Sequence, residues 1–187
     1  MSPRALFIIV WIGWIVSWTI AALWSGRTEK RLATREVWEY RIALAAGIVL
    51  FNLPIRRLLG LRRIWHVGYN GAYLLAILTF AGLMFAWWAR IYLGQLWSGS
   101  ITRKEGHYVV DTGPYAFVRH PIYTGLIAAT LATATAAATA GAILGGILII
   151  FGLWLKARTE EHFLSTELGP GAYSAYQRRV PMLVPFI

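Results

Sequence analysis

The sequence predicts an all-α integral membrane fold with about five transmembrane helices, and three observations carry that reading. Of its 187 residues, 58% are hydrophobic and 14% charged, where soluble domains run near half and a quarter. Several uncharged runs approach or exceed the roughly 20 residues that a bilayer core about 30 Å thick requires of a helix. The basic residues behind the net charge of +10 sit mostly in short segments between those runs, as charges that orient a membrane protein do. That dispersal argues against a nucleic-acid surface, which would gather them on one face. The absence of cysteine excludes disulfides, thiolate zinc ligands and a cysteine nucleophile.

The first span is 6–24, with Trp11, Trp14, Trp18 and Trp24 spread along it. Only Arg4 precedes it as a charge, and no small-residue cleavage pattern ends it, so it is expected to be a retained span and not a signal peptide. The polar stretch 25–41 mixes Arg27, Lys30, Arg31 and Arg35 with Glu29, Glu36 and Glu39. The apolar run 42–55 is short, so the second span is expected to begin before Arg41, whose side chain can snorkel. After Arg56, Arg57, Arg62 and Arg63, the third span covers 64–89; it opens on His66, Asn70 and Tyr73 and closes on the interfacial pair Trp87 and Trp88.

Residues 122–155 contain no charge. As one helix they would extend about 50 Å, well beyond the hydrocarbon, so two spans joined by a tight turn are expected. The Thr-rich stretch 133–141 marks the turn, and Gly141, Gly145 and Gly146 offer small faces for close helix contact. With an external N-terminus, 13 of the 18 basic residues fall on the cytoplasmic side, which favours a cytoplasmic C-terminus in an inner or plasma membrane. The arginines at 56–63 are the exception to that bias. The chain divides into an N-terminal three-span part, 1–92, and a C-terminal part, 93–187, that contains the hairpin 122–155.

Polar chemistry in the second half is confined to 99–123 and 156–187. If 122–155 crosses twice, both segments emerge on one face and can form one site; if it crosses once, they cannot. The first segment packs His107, Tyr108, Tyr115, Arg119 and His120 around the turn signal Gly113-Pro114, and Pro121 suits a first helical turn while keeping His120 out of the α region. Such residues also serve as plain interfacial anchors. The second segment carries Glu160 and Glu161, which could equally face water beside Arg158 or Lys156. Its tail also reads as an amphipathic cover on the membrane surface.

In order and spacing, Gly106-His107-x-Val109-Val110, Thr112-Gly113-Pro114-Tyr115, Arg119-His120-Pro121-x-Tyr123-x-Gly125, Arg158-Thr159-Glu160-Glu161, the Tyr173 and Tyr176 pair, and Arg179-Val180-Pro181 resemble the isoprenylcysteine carboxyl methyltransferase family. The resemblance covers 93–187 and extends to a wider superfamily of integral membrane methyltransferases. It implies an enzyme that uses S-adenosylmethionine, leaving S-adenosylhomocysteine, with a C-terminal cytoplasmic region that binds the cofactor. Carried over, it implies that His107, Val109, Val110, Gly113, Tyr115, His120, Pro121, Tyr123 and Glu161 hold the cofactor. It also implies that Arg119, Arg179, Glu160 and Glu161 act in catalysis. The acceptor it implies is lipid-like or a small amphiphile, in or beside the bilayer, most naturally an isoprenylcysteine carboxylate. Phospholipid amines and small thiols are alternatives within the superfamily.

Each acceptor asks something different of the protein. A carboxylate needs a cation and no base, and a guanidinium offers paired donors, so Arg119 and Arg179 are candidate clamps. An amine or thiol must shed a proton, which would make Glu160 or Glu161 a base. No metal partner is expected, because four scattered histidines include no His-x-x-x-His pair. A soluble nucleotide fold is not expected either, since no Gly-x-Gly-x-x-Gly follows a strand pattern. Readings from other classes are an NADPH-dependent membrane reductase and a non-catalytic membrane protein; near-absence of charge within the spans disfavours a transporter.

Overall fold

The computed structural model describes residues 1–53, 63–106, 108–167 and 171–185. Five long helices dominate it. Helix α1, Pro3–Ala21, starts where the Ser2 hydroxyl accepts from the Ala5 amide at 3.3 Å and Pro3 takes the first turn. It runs into a 3-10 turn at Ala22–Trp24. Helix α2, Thr34–Asn52, begins before Arg41 as expected and stops at Leu53, whose extended backbone suits the residue before Pro54. The four arginines at 56–63 fall almost wholly outside the described residues.

Helix α3, Tyr69–Leu93, sits a few residues later than the expected 64–89. Gly94, with φ of 56°, ends it in a conformation that side-chain-bearing residues resist. Helices α4, Pro121–Ala137, and α5, Ala140–Glu167, form the expected hairpin. Its turn is Ala138, with φ of 52°, and Thr139, whose hydroxyl accepts from the Ala142 amide at 3.2 Å. A short helix, α6, Ala172–Arg179, follows in the tail.

By length and composition, the helical stretches Pro3–Trp24, Tyr69–Leu96 and Ala140–Glu167 are long and apolar enough to cross a membrane. Helix α4 is apolar but shorter, and the charges in the first half of α2 keep it below the same standard. One short ribbon accompanies the helices of this mainly α fold. Strand β1, Thr28–Arg31, pairs antiparallel with β2, Thr102–Lys104, Thr28 opposite Lys104 and Arg31 opposite Thr102. Strands this short and this charged show no alternation in sequence, and they form because two interfacial linkers are held side by side.

Neighbouring helices pack as α1 on α3, α3 on α4, α4 on α5 and α5 on α2. Without water between helices, close approach is driven by packing at small residues. A Cβ on Gly82 would meet the Gly125 carbonyl of α4 at 2.7 Å, and one on Gly47 would meet the Gly145 carbonyl of α5 at 2.9 Å. Helices α1 and α2 thus form the two ends of an arc. At one end of the bundle, buried Arg90 donates to Ala21 O at 2.7 Å and Gly94 O at 2.8 Å, with the Trp97 ring 4.2 Å from its guanidinium carbon. This clasps the last turns of α1 and α3 together. Buried Lys104 reaches Ser25 Oγ, Gly26 O and Thr28 Oγ1 at 2.8–2.9 Å, fixing the linker that follows α1.

Candidate functional site

The site lies at the end of the bundle that carries the ribbon, where α4 begins and α5 ends. His120 has φ −123° and ψ 63°, outside the α region, and Pro121 opens α4. The tail straps over this start. Backbone amides of Arg119 and His120 donate to the Pro181 and Met182 carbonyls at 2.8 and 3.1 Å, and the Thr124 hydroxyl donates to Leu183 O at 2.7 Å. The hairpin therefore brings the two polar segments together, which a single crossing could not have done.

One carboxylate ties three elements. Glu161, buried on α5, accepts from Arg119 Nε at 2.6 Å and from a terminal nitrogen of the same guanidinium at 3.1 Å. It also accepts from His120 Nε2 at 3.1 Å and from Gln177 Nε2 on α6 at 3.0 Å. A carboxylate oxygen only accepts, so His120 Nε2 carries the hydrogen. The other terminal nitrogen of Arg119 donates to Gln177 O at 3.0 Å and to Val180 O. Pre-hairpin loop, α5 and tail are thereby locked in one charge-assisted network.

Glu160 is the neighbour that faces inward. Its Oε2 accepts from the Tyr123 hydroxyl at 2.6 Å, and the Tyr123 ring stacks on His120 at 5.2 Å between centroids. Both line a cavity of about 930 Å³, at the upper end of the size of ligand sites, roughly 300–1,000 Å³. Along α5 its wall is Ile149, Leu153, Lys156, Glu160 and Leu164, spaced by three and four residues so that all share one face. The polar end is closed by Val109, Val110, Tyr115, Arg119, His120, Tyr173 and Tyr176. Towards the other end the walls are apolar, with Phe7, Trp11, Ile15 and Trp18 on α1 facing Leu44, Ile48 and Phe51 on α2. The two ends of the helix arc thus bound one continuous space.

Burial holds the phenols of Tyr115, Tyr173 and Tyr176 above their ordinary range, and Glu160 beside Tyr115 and Glu161 beside Tyr173 push the same way. All three are neutral at neutral pH. The Tyr176 hydroxyl donates to Tyr115 O at 2.7 Å, joining α6 to the Gly113–Ala116 turn.

The candidate residues do not share one environment. Val109, Val110, Tyr115, Arg119, His120, Tyr123 and Glu160 line the cavity, while Glu161 stands behind the wall, satisfied by its four bonds. Pro121 is fully buried as the first residue of α4 and is not a wall residue. Gly113 serves the turn: its φ is 57°, and a Cβ there would strike the Tyr92 ring. Arg179 lies on the surface, its side chain 65% exposed and paired with Asp111 at 2.8 Å. His107 lies outside the described residues. Sequence reasoning did not single out Lys156, Tyr173, Tyr176 or Gln177 as site residues. The 3–4 spacing of Leu153, Lys156 and Glu160 was the available signal for the first, and the Tyr173–Tyr176 spacing for the next two.

Residues 74–166 match the family model of the isoprenylcysteine carboxyl methyltransferase (ICMT) family. The match begins within α3, further towards the N-terminus than the 93–187 resemblance, and stops before α6. Helix α3 belongs with it physically, being sealed to α4 at Gly82 and Gly125. Protein-S-isoprenylcysteine O-methyltransferase B of Arabidopsis thaliana is 26% identical over 136 residues, which cover 62% of this chain and 68% of that protein. Protein-S-isoprenylcysteine O-methyltransferase of Schizosaccharomyces pombe is 31% identical over 102 residues, which cover 53% of this chain and 43% of that protein. Over residues 74–166, which include the hairpin and the carboxylate pair at the end of α5, the chain is similar to the isoprenylcysteine carboxyl methyltransferase family.

Proposed function

We propose that the protein is a membrane methyltransferase that moves a methyl group from S-adenosylmethionine to the carboxylate of a lipid-like, isoprenylcysteine-type acceptor. The observation that carries this is the continuous cavity: a polar end with Glu160, His120 and three buried tyrosines opens into an apolar space between α1 and α2. A charged, water-soluble donor and an amphiphilic acceptor each require one of those environments. The residues fit the cofactor: Val109, Val110 and Leu164 offer apolar walls for a purine, the tyrosines offer hydroxyls, and Glu160 offers a carboxylate to a cationic group. The cofactor when bound supplies a methyl group already activated on a sulfonium.

The protein's own work is then alignment and exclusion of water. The Arg119–Glu161–His120–Gln177 network holds the loop and tail at fixed separation across the cavity. Tyr123 fixes the Glu160 carboxylate. The phenols of Tyr115, Tyr173 and Tyr176 remain uncharged donors. A carboxylate acceptor needs no base, so none of these groups has to move a proton. The site end also gathers most of the basic residues, which supports a five-span arrangement with the site on the cytoplasmic side of an inner or plasma membrane.

The test is calorimetric binding of S-adenosylhomocysteine to detergent-purified protein, followed by transfer of a labelled methyl group to a prenylated N-acetylcysteine. Saturable binding, weakened in His120→Ala and Glu161→Ala, with transfer to the acid, is the expected result. Thermal stabilisation by NADPH instead would assign a reductase. Transfer only to a phospholipid amine or a small thiol would move the acceptor class.

A further inference from the structure

Among the described residues, the cavity wall carries two basic side chains, Arg119 and Lys156, besides His120. They are not equivalent. Four of the five N–H donors of Arg119 are directed at Glu161, Gln177 O and Val180 O. Its charge is balanced by a carboxylate of the protein itself. Lys156 donates to Gly99 O at 3.1 Å and lies 5.3 Å from the Tyr123 ring and 5.8 Å from the Tyr40 ring. No Asp or Glu of the described residues forms an ion pair with it. An ammonium has three donors, and one bond to a carbonyl does not use them all; Glu160, one turn on, acts on the charge through space without bonding to it.

Position along α5 makes that imbalance informative. Ile149 and Leu153 precede Lys156 on the cavity face, and Glu160 and Leu164 follow it. Lys156 is the last charge before the apolar half of the helix and stands one turn from the carboxylate at the polar end. We infer that Lys156 anchors the carboxylate of the acceptor, whose apolar tail lies along Ile149 and Leu153 between α1 and α2. The inference rests on the carboxyl-methyltransferase reading and names the residue that selects an anionic acceptor. In the reaction, a carboxylate oxygen forms the bond to the methyl carbon as the carbon–sulfur bond breaks, with the electron pair left on sulfur. No proton moves. The product ester has lost the charge that Lys156 held, so the same contact that selects the acid favours release of the ester.

The experiment measures binding of N-acetyl-S-farnesylcysteine and of its carboxamide to cofactor-free protein in one fixed detergent, for wild type, Lys156→Met and Lys156→Arg. Wild type should bind the acid at least about tenfold more tightly than the amide, as expected for a charge-assisted contact. Lys156→Met should abolish that preference and Lys156→Arg should keep most of it. S-adenosylhomocysteine affinity should stay within about twofold in both variants. A wild type that does not distinguish acid from amide, or a Lys156→Met that still does, overturns the assignment. If labelled-methyl transfer to the acid persists in that case, the function stands and only the anchor falls. If wild type binds S-adenosylhomocysteine but neither binds nor methylates the acid, the acceptor reading fails with it. Should Lys156→Met not fold, the wild-type comparison and Lys156→Arg still decide.

Discussion

Arg119 and Glu161, 42 positions apart in sequence, meet as a paired-donor ion pair with nitrogen–oxygen distances of 2.6 and 3.1 Å, both side chains about nine-tenths buried. The pair joins the start of one hairpin helix to the end of the other. Removing one partner from such a site leaves a buried charge uncompensated, at a cost of about 3–5 kcal/mol. Arg119→Ala should therefore lower the melting temperature and weaken S-adenosylhomocysteine binding together. A double Arg119→Met, Glu161→Met variant should recover part of the stability but not the binding. Thermal denaturation and calorimetry on the same samples check both; loss of transfer with intact cofactor binding in Arg119→Ala would restore Arg119 to direct contact with the acceptor.

Tyr123→Phe removes the 2.6 Å bond to Glu160 and leaves the ring stacked on His120. A hydrogen bond to a charged group contributes about 1.5–3 kcal/mol. Turnover should fall by about ten- to a hundredfold, with the fold intact by circular dichroism. An unchanged rate would remove Glu160 from the reactive end of the cavity.

Arg179→Ala should be nearly silent. Its partner Asp111 is 41% exposed and Arg179 itself 65%, and exposed pairs contribute about 0–1 kcal/mol. Methyl transfer and melting temperature measured beside wild type should agree within error. A collapse of activity would place Arg179 against the acceptor in the loaded enzyme.

Gly145→Val should prevent α2 from closing on α5, because a Cβ at Gly145 would lie 2.7 Å from the Phe51 Cα. Gly13→Ala on α1 meets nothing within 4 Å and should behave as wild type. Monodisperse yield in detergent separates the two.

Alkaline pH should destabilise the tail. The phenols of Tyr115, Tyr173 and Tyr176 lie above the ordinary 10.0 because burial disfavours the anion. In the unfolded chain they ionise near 10.0, so the unfolded state releases protons first and stability falls as pH rises from there. Tyrosinate absorbance at 295 nm should rise late and together with loss of S-adenosylhomocysteine binding. Early, independent titration of all nine tyrosines would argue that these three are not buried.

The helices were legible because lipid imposes a simple rule, that backbone polar groups must be satisfied within the span. Long uncharged runs marked α1, α3 and the hairpin, and a 34-residue run too long for one crossing revealed its turn. The β1–β2 ribbon was illegible, since its short charged and polar strands show no alternation and pair across about 70 positions, beside the ends of α1 and α3 that Arg90 clasps.

The sequence by itself determined that this is an apolar helical chain suited to a membrane, that it resembles the isoprenylcysteine carboxyl methyltransferase family, and which two segments hold its polar chemistry. Only the tertiary structure decided which charge faces the cavity. Glu160 and Glu161 are adjacent and chemically identical, yet successive helix positions point about 100° apart, so one lines the cavity while the other is consumed by Arg119, His120 and Gln177. Arg119 and Lys156 differ for the same reason. A guanidinium beside a buried carboxylate is satisfied within the protein, whereas the ammonium on the cavity face of α5 touches a carbonyl and two aromatic rings, with Glu160 one turn away and not bonded to it. Such distinctions depend on distances between residues about 40 positions apart, and the packing of α4 on α5 sets them.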